Sequence, residues 1–209
     1  MIETICNKLT SRIRKEMPDI NDERAEVINY GLQLAFGEIP KTLIILGIAW
    51  LLKVLDLTIL TMIIIMPYRI VVGGVHFKTH VKCVIATSIF YIGTALLSKY
   101  IVLEKTIQYA ITIVTWIFSI IMISLYAPAD TEDVPILRKK ERKLKKSFSY
   151  IIMTEMLVLS ILIKNTTLSN IFLFETLFQT ISITRPMYKL AKNKYGYEEY
   201  MKNKTDLAF

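Results

Sequence analysis

The chain has 209 residues and 24.1 kDa, is 53% hydrophobic with a mean hydropathy of +0.44, and carries a net +8 from 26 basic against 18 acidic residues. That apolar content excludes an ordinary soluble domain and a disordered chain, and seven Gly with six Pro exclude collagen-like or low-complexity repeats. Two cysteines, Cys6 and Cys83, cannot make a disulfide framework, which leaves an all-α polytopic membrane protein as the expected class.

Residues 1–38 mix seven acids with five bases and hold no apolar run long enough for a signal-peptide core, so no signal peptide is expected there. Ile2, Ile5, Leu9 and Ile13 recur at helical spacing with Lys8, Arg12, Arg14 and Lys15 between them, the pattern of a helix lying on an anionic leaflet. Cys6 falls on that apolar stripe and reads as packing. A second amphipathic stretch follows Pro18, with Asn21 or Asp22 as cap and Val27, Ile28, Tyr30 and Leu34 on one side.

Ile39–Val72 is interrupted by Lys53 and Asp56, and reads as a tight hairpin or as one long helix. Cys83–Ser98 is an uncharged run of 16 residues, and Thr106–Tyr126 an uncharged run of 21, long enough as helix to cross the roughly 30 Å hydrocarbon core. Phe148–Ile163 and Asn165–Thr184 read as a helical hairpin with one carboxylate in each arm, Glu155 and Glu175. Cytoplasmic flanks collect Lys and Arg. Splitting 39–72 into a hairpin gives six spans with both termini inside, and then 22 of the 26 bases lie inside. The expected organisation is therefore one membrane domain, 1–209: an interfacial region 1–38, a six-helix bundle 39–184 with a basic cytoplasmic loop 127–147, and a basic tail 185–209.

That topology turns the segment from Pro67 to Cys83 into a short cytoplasmic connection holding both histidines of the chain, His76 and His80. A thiol attacks only as thiolate, so a catalytic cysteine needs a base or cation nearby and gains from a helix N-terminus. Cys83 opens the third span, with His76, His80, Lys78, Lys82 and Arg69 close in sequence. On a regular helix His76 would stand about 10 Å along the axis from Cys83, out of hydrogen-bond reach; Gly73-Gly74 supplies the freedom to fold the chain back. His80 needs no fold-back and on spacing alone is the easier partner. Two His and one Cys without a neighbouring acid are short of a metal site, and Gly73-Gly74 lacks the context of a phosphate loop; neither metal nor cofactor is expected, and no nucleic acid.

Arg69, Gly73-Gly74, His76 and Cys83, in the order R-x₃-G-G-x-H-x₆-C, resemble the accessory gene regulator protein B (AgrB) family of Gram-positive quorum sensing. Downstream, Tyr126-Ala-Pro, then Pro135-Ile136 and the basic run 138–146, resemble that family's Y-A-P-x₆-P-I stretch and basic loop. The resemblance implies a membrane cysteine endopeptidase that removes the acidic C-terminal tail of an AgrD-like propeptide, holds the rest as a thioester and promotes closure of a thiolactone or lactone ring. It further implies Cys83 as nucleophile, His76 rather than His80 as general base, a supporting role for Arg69, Gly73 and Gly74, and a homodimer. The basic loop, Arg138, Lys139, Lys140 and Arg142 above all, is expected to attract the acidic tail; topology alone also selects such a loop. No acid is placed by sequence to orient His76, with Asp130 and Glu38 both conceivable. The competing reading is a small transporter or peptide-export component in which Glu155 and Glu175 line a path.

Overall fold

A computed structural model describes residues 2–17, 19–77 and 79–206. Pro18 and Lys78 lie outside these residues, as do the side chains of Ile2 and Leu34. The described residues form nine helices without a strand, in two compact units, 1–48 and 49–209.

In the first unit α1 (Ile2–Glu16) buries Cys6 completely on its apolar stripe. Asn21, not Asp22, provides the cap of α2 (Asp22–Leu51), its Oδ1 accepting the Arg24 N–H at 2.9 Å. Arg14 pairs with Asp22 at 2.7 Å, and Asn29 donates to Asn7 at 2.8 Å. The amphipathic stretch and the first apolar run, read in sequence as separate pieces, are one 30-residue helix running through Pro40. An interior proline removes one hydrogen bond at about 3 kcal/mol, a local loss that the helix on both sides outweighs.

The chain leaves helix at residues 52–54, where Lys53 takes φ +57°, so 39–72 is two helical runs rather than one. The second unit then contains α3 (Leu55–Val72), α4 (His80–Tyr100), α5 (Lys105–Tyr126), α6 (Lys139–Leu162), α7 (Thr166–Ser182), α8 (Arg185–Ala191) and α9 (Gly196–Asp206). Four helices, α2 to α5, are long and apolar enough to cross a membrane. α6 and α7 fall outside that set, so four of the six expected spans meet it by length and composition. The first third of α6 is the basic run, and α7 has 17 residues, about 26 Å of helix against a hydrocarbon core of about 30 Å.

α7 is the hub of this unit. It starts at Asn165, whose Oδ1 accepts the Leu168 N–H at 2.9 Å, and packs against α3, α4, α5 and α6. Its buried surface is largely polar: Ser169, Asn170, Glu175, Thr176, Gln179 and Thr180 are all at 1% exposure or less. Each needs a partner inside the bundle, because hydrocarbon supplies none. Thr180 shares hydrogen bonds of 2.9 Å with Tyr68 of α3 and with Ser119 of α5. Asn170 donates to the Ile101 carbonyl and Gln108 to the Ser160 carbonyl, both at 2.7 Å. Apolar packing of Ile65, Val72, Ile123, Met153, Leu157 and Leu173 completes the core. Interhelical hydrogen bonds and close packing, rather than expulsion from water, thus hold the helices together.

Candidate functional site

α3 ends at Arg69-Ile-Val-Val72, and the two glycines carry the chain away from the helix axis with φ +80° at Gly73 and +142° at Gly74. Both angles lie where L side chains are strained. The turn is also tightly enclosed. A Cβ on Gly73 would stand 2.2 Å from the Ala129 carbonyl oxygen, and one on Gly74 would stand 2.7 Å from Ser182 Oγ. Glycine is required here for space as well as for conformation.

Contacts from three separate segments fix this turn. Ala129 N–H donates to the Val72 carbonyl at 2.8 Å, and Gly74 N–H donates to the Ala129 carbonyl at 3.0 Å. From the end of α7, Gln179 Nε2 donates to the Gly73 carbonyl at 2.6 Å, and Val75 N–H reaches the Ser182 carbonyl at 3.3 Å. Arg69 donates to Gln179 Oε1 at 3.2 Å and lies 3.5 Å from the Val75 carbonyl. The Arg69, Gly73 and Gly74 singled out in sequence are therefore gathered in one place with Ala129, inside the stretch 126–136 noted in sequence, and with Gln179, which the sequence did not flag. Nothing local announced Gln179, more than a hundred positions away.

Beyond the turn residues 74–77 and 79 are out of helix, and α4 begins at His80. His76 is an exposed residue whose backbone N–H donates to Asn193 Oδ1 at 2.9 Å. His80, also exposed, is the first residue of α4. Cys83 lies in the first turn of that helix at 7% exposure, with Sγ 3.9 Å from Thr87 Oγ1. Such a position places the thiol in the favourable field at a helix start.

The segment after α5 is equally ordered. Asp130, whose side chain is 1% exposed, accepts from Arg142 at 2.9 Å and from the Ile136 N–H at 2.8 Å. The Arg142 guanidinium also covers the Tyr197 ring at 4.3 Å. Of the four basic residues expected to meet an acidic tail, Arg142 is thus already paired, while Arg138, Lys139 and Lys140 are exposed at the start of α6. Asp130 is likewise committed to Arg142, and Glu38 is paired with Lys41. An open cavity of about 350 Å³ beside Tyr126 and Pro128 is lined by Arg142, Lys143 and Lys146.

A stack of three tyrosines closes the layer. Tyr188 and Tyr195 are 4.0 Å apart between ring centroids, and Tyr195 and Tyr126 are 5.6 Å apart. Tyr188 donates its hydroxyl to the Ala129 carbonyl at 2.8 Å, and burial pushes its phenol well above the ordinary value. The two carboxylates of the competing reading do not share a surface: Glu155 is exposed on α6, whereas Glu175 is fully buried on α7.

A helical membrane protein with a His-bearing loop, pinned between an Ala-Pro segment and the end of a polar core helix and leading into a Cys-bearing helix start, is the class these features define. The sequence comparisons narrow it. This chain belongs to the Accessory gene regulator B family, whose sequence model matches residues 6–183. An AgrB-like protein of Listeria innocua is 27% identical over 174 residues, 83% of each chain. An AgrB-like protein of Clostridium acetobutylicum is 22% identical over 206 residues, covering 97% of this chain and 94% of its own. The accessory gene regulator protein B of Staphylococcus epidermidis is 25% identical over 156 residues, 75% of this chain and 77% of its own. No solved structure matches. Family membership places the protein in an accessory gene regulator system and in a membrane.

Proposed function

We propose that the protein is a membrane-embedded cysteine endopeptidase that trims an AgrD-like propeptide and closes its signal ring. Membership of the family, read on the motif R-x₃-G-G-x-H-x₆-C, carries this reading. His76 takes the Cys83 thiol proton, and the thiolate attacks the carbonyl carbon of the scissile peptide bond. The resulting oxyanion collapses, the C–N bond breaks, and His76 returns the proton to the leaving amine of the tail. The signal segment is left as a thioester on Cys83. A thiol or hydroxyl within the peptide then gives its proton to His76 and attacks the thioester carbonyl. Cys83 leaves as thiolate and is reprotonated, and the ring is closed.

Several features support the assignment. Cys83 sits at a helix start, His76 lies on a separate non-helical segment, and Gly73-Gly74 redirects the chain between α3 and that segment. Arg69 braces the turn through Gln179. Exposed Arg138, Lys139 and Lys140, with Lys143 and Lys146 at the nearby cavity, supply positive charge for an acidic tail. The charge distribution favours cytoplasmic termini and a cytoplasmic active site, and the family resemblance favours a homodimer. Single-turnover cleavage of propeptide by protein reconstituted in vesicles tests the assignment. Cys83→Ala abolishes cleavage but retains propeptide binding, whereas Cys6→Ala is close to silent; the reverse pattern overturns the reading.

A further inference from the structure

Residues 184–209 follow the stretch matched by the family model, yet they carry a contact to the loop that holds His76. α8 terminates at Lys192, which takes the left-handed conformation with φ 57° and ψ 35°. This turn points the next residue back into the protein, and Asn193 is 8% exposed with its own N–H donated to the Tyr188 carbonyl at 2.9 Å. Tyr188 is in turn fixed by its hydroxyl bonds to the carbonyls of Ala129 and Asp130, at 2.8 and 3.1 Å. Past Asn193, Tyr195 donates its hydroxyl to the Ile183 carbonyl at 2.8 Å and Gly196 N–H reaches the Asp130 carbonyl at 3.3 Å. Asn193 therefore projects from a rigid frame, and what it holds is the backbone N–H of His76 at 2.9 Å.

The amide of Asn193 is used one-sidedly. Because the His76 N–H is a donor, the atom facing it must be the oxygen, and Nδ2 is then buried without a hydrogen-bond partner. A buried amide nitrogen left unpaired is costly and rare. A residue kept for one acceptor at one backbone position fits a positioning role, since the non-helical segment 75–77 has little secondary structure of its own to fix it.

We infer that Asn193 is a positioning residue for His76: it fixes the backbone of the loop so that the imidazole is presented to Cys83 from outside α4. This inference rests on the cysteine endopeptidase reading. A base displaced by about 1 Å loses on the order of 10²-fold in rate while substrate contacts elsewhere persist. The effect should therefore fall on kcat and leave KM nearly unchanged.

Two substitutions of similar size separate the possibilities. Asn193→Asp keeps an oxygen acceptor for the His76 N–H and removes the unpaired donor, whereas Asn193→Leu removes the acceptor. Both are measured in full-length protein with Cys6→Ser, reconstituted in vesicles. The readouts are single-turnover propeptide cleavage, the rate of Cys83 alkylation by iodoacetamide at neutral pH, and the thermal midpoint. The expected result is a fall in kcat of about 10²-fold for Asn193→Leu, KM within about threefold, and loss of the same share of alkylation rate as in His76→Ala. Asn193→Asp should retain most of both rates. If Asn193→Leu cleaves and alkylates as the parent does while His76→Ala is inactive, the positioning role is wrong and the endopeptidase reading survives. An Asn193→Asp protein as defective as Asn193→Leu at an unchanged thermal midpoint also overturns it, because the acceptor would then be irrelevant. If Cys83→Ala still cleaves, the endopeptidase reading itself fails and this inference with it.

Discussion

Gly73→Ala probes the turn without touching any group that does chemistry. The added Cβ would stand 2.2, 2.8 and 3.0 Å from the oxygen, carbon and nitrogen of Ala129. All three are backbone atoms, so no side chain can rotate aside. Gly73 also has φ +80° with ψ −151°, a combination costing an L residue about 1–3 kcal/mol. Moving the Ala129 segment away to relieve the clash breaks the hydrogen bonds between Ala129 N–H and the Val72 carbonyl and between Gly74 N–H and the Ala129 carbonyl, worth about 0.5–1.5 kcal/mol each. Together these give about 4 kcal/mol, or a fall of about 8–16 °C in thermal midpoint for a chain of this length. Gly93 is the matched control: a Cβ on it meets nothing within 4 Å, and Gly93→Ala in the interior of α4 should gain about 0.5–1 kcal/mol. Thermal unfolding of the purified protein followed by far-ultraviolet circular dichroism measures both. A Gly73→Ala midpoint within about 2 °C of the parent would refute the argument that the turn is closed on Ala129.

Three further perturbations follow from the same geometry. His76→Ala should reduce single-turnover cleavage by about 10³-fold and His80→Ala by less than about tenfold, since His80 is a helical residue on the same helix as Cys83; equal losses would mean that the wrong histidine has been assigned. Arg142→Gln strips buried Asp130 of its cation and should cost about 2–3 kcal/mol, below the usual range for a buried pair because the Arg142 side chain is 21% exposed; Asp130→Asn in the same protein should recover part of that midpoint, and a single Arg142→Gln variant melting like the parent refutes the pairing. Burial holds the Tyr188 proton on in the folded protein after the unfolded chain has released its own, so that stabilisation is complete below about pH 10 and is lost as pH rises further. Tyr188→Phe should flatten the decline of the thermal midpoint above about pH 10, and an unchanged slope argues against the buried phenol as its source.

What could be read in the sequence was whatever announces itself locally. Uncharged runs located α4 and α5 to within a few residues, paired glycines located the turn after α3, and Lys53 with Asp56 located the break between α2 and α3. The continuity of α2 was not legible, because its N-terminal part reads as amphipathic and its C-terminal part as apolar, and only the unbroken backbone hydrogen bonding joins them through Pro40. The polar face of α7 was hidden for a different reason: its serines, threonines and amides dilute the apolar signal of a helix whose burial depends on hydroxyl partners in α3 and α5. At the site, residue types were legible and their partners were not. Arg142 looked like one more free cation in a basic loop until Asp130 was brought beside it, and no pattern tied Asn193 to His76 across more than a hundred intervening positions.

The turn at Gly73-Gly74 draws its supports from Ala129, from Gln179 and Ser182, and, through His76, from Asn193. On the ribosome these arrive in that order. Early in translation the nascent chain already carries the thiol and the imidazole, but it lacks the carbonyls and amides that hold the loop in place. A messenger truncated between residues 130 and 178 would therefore yield a loop braced by Ala129 alone, without the amide of Gln179, the carbonyl of Ser182 or the acceptor of Asn193. Quality control of this protein by C-terminal proteolysis would act directly on the loop, without any cut near Cys83.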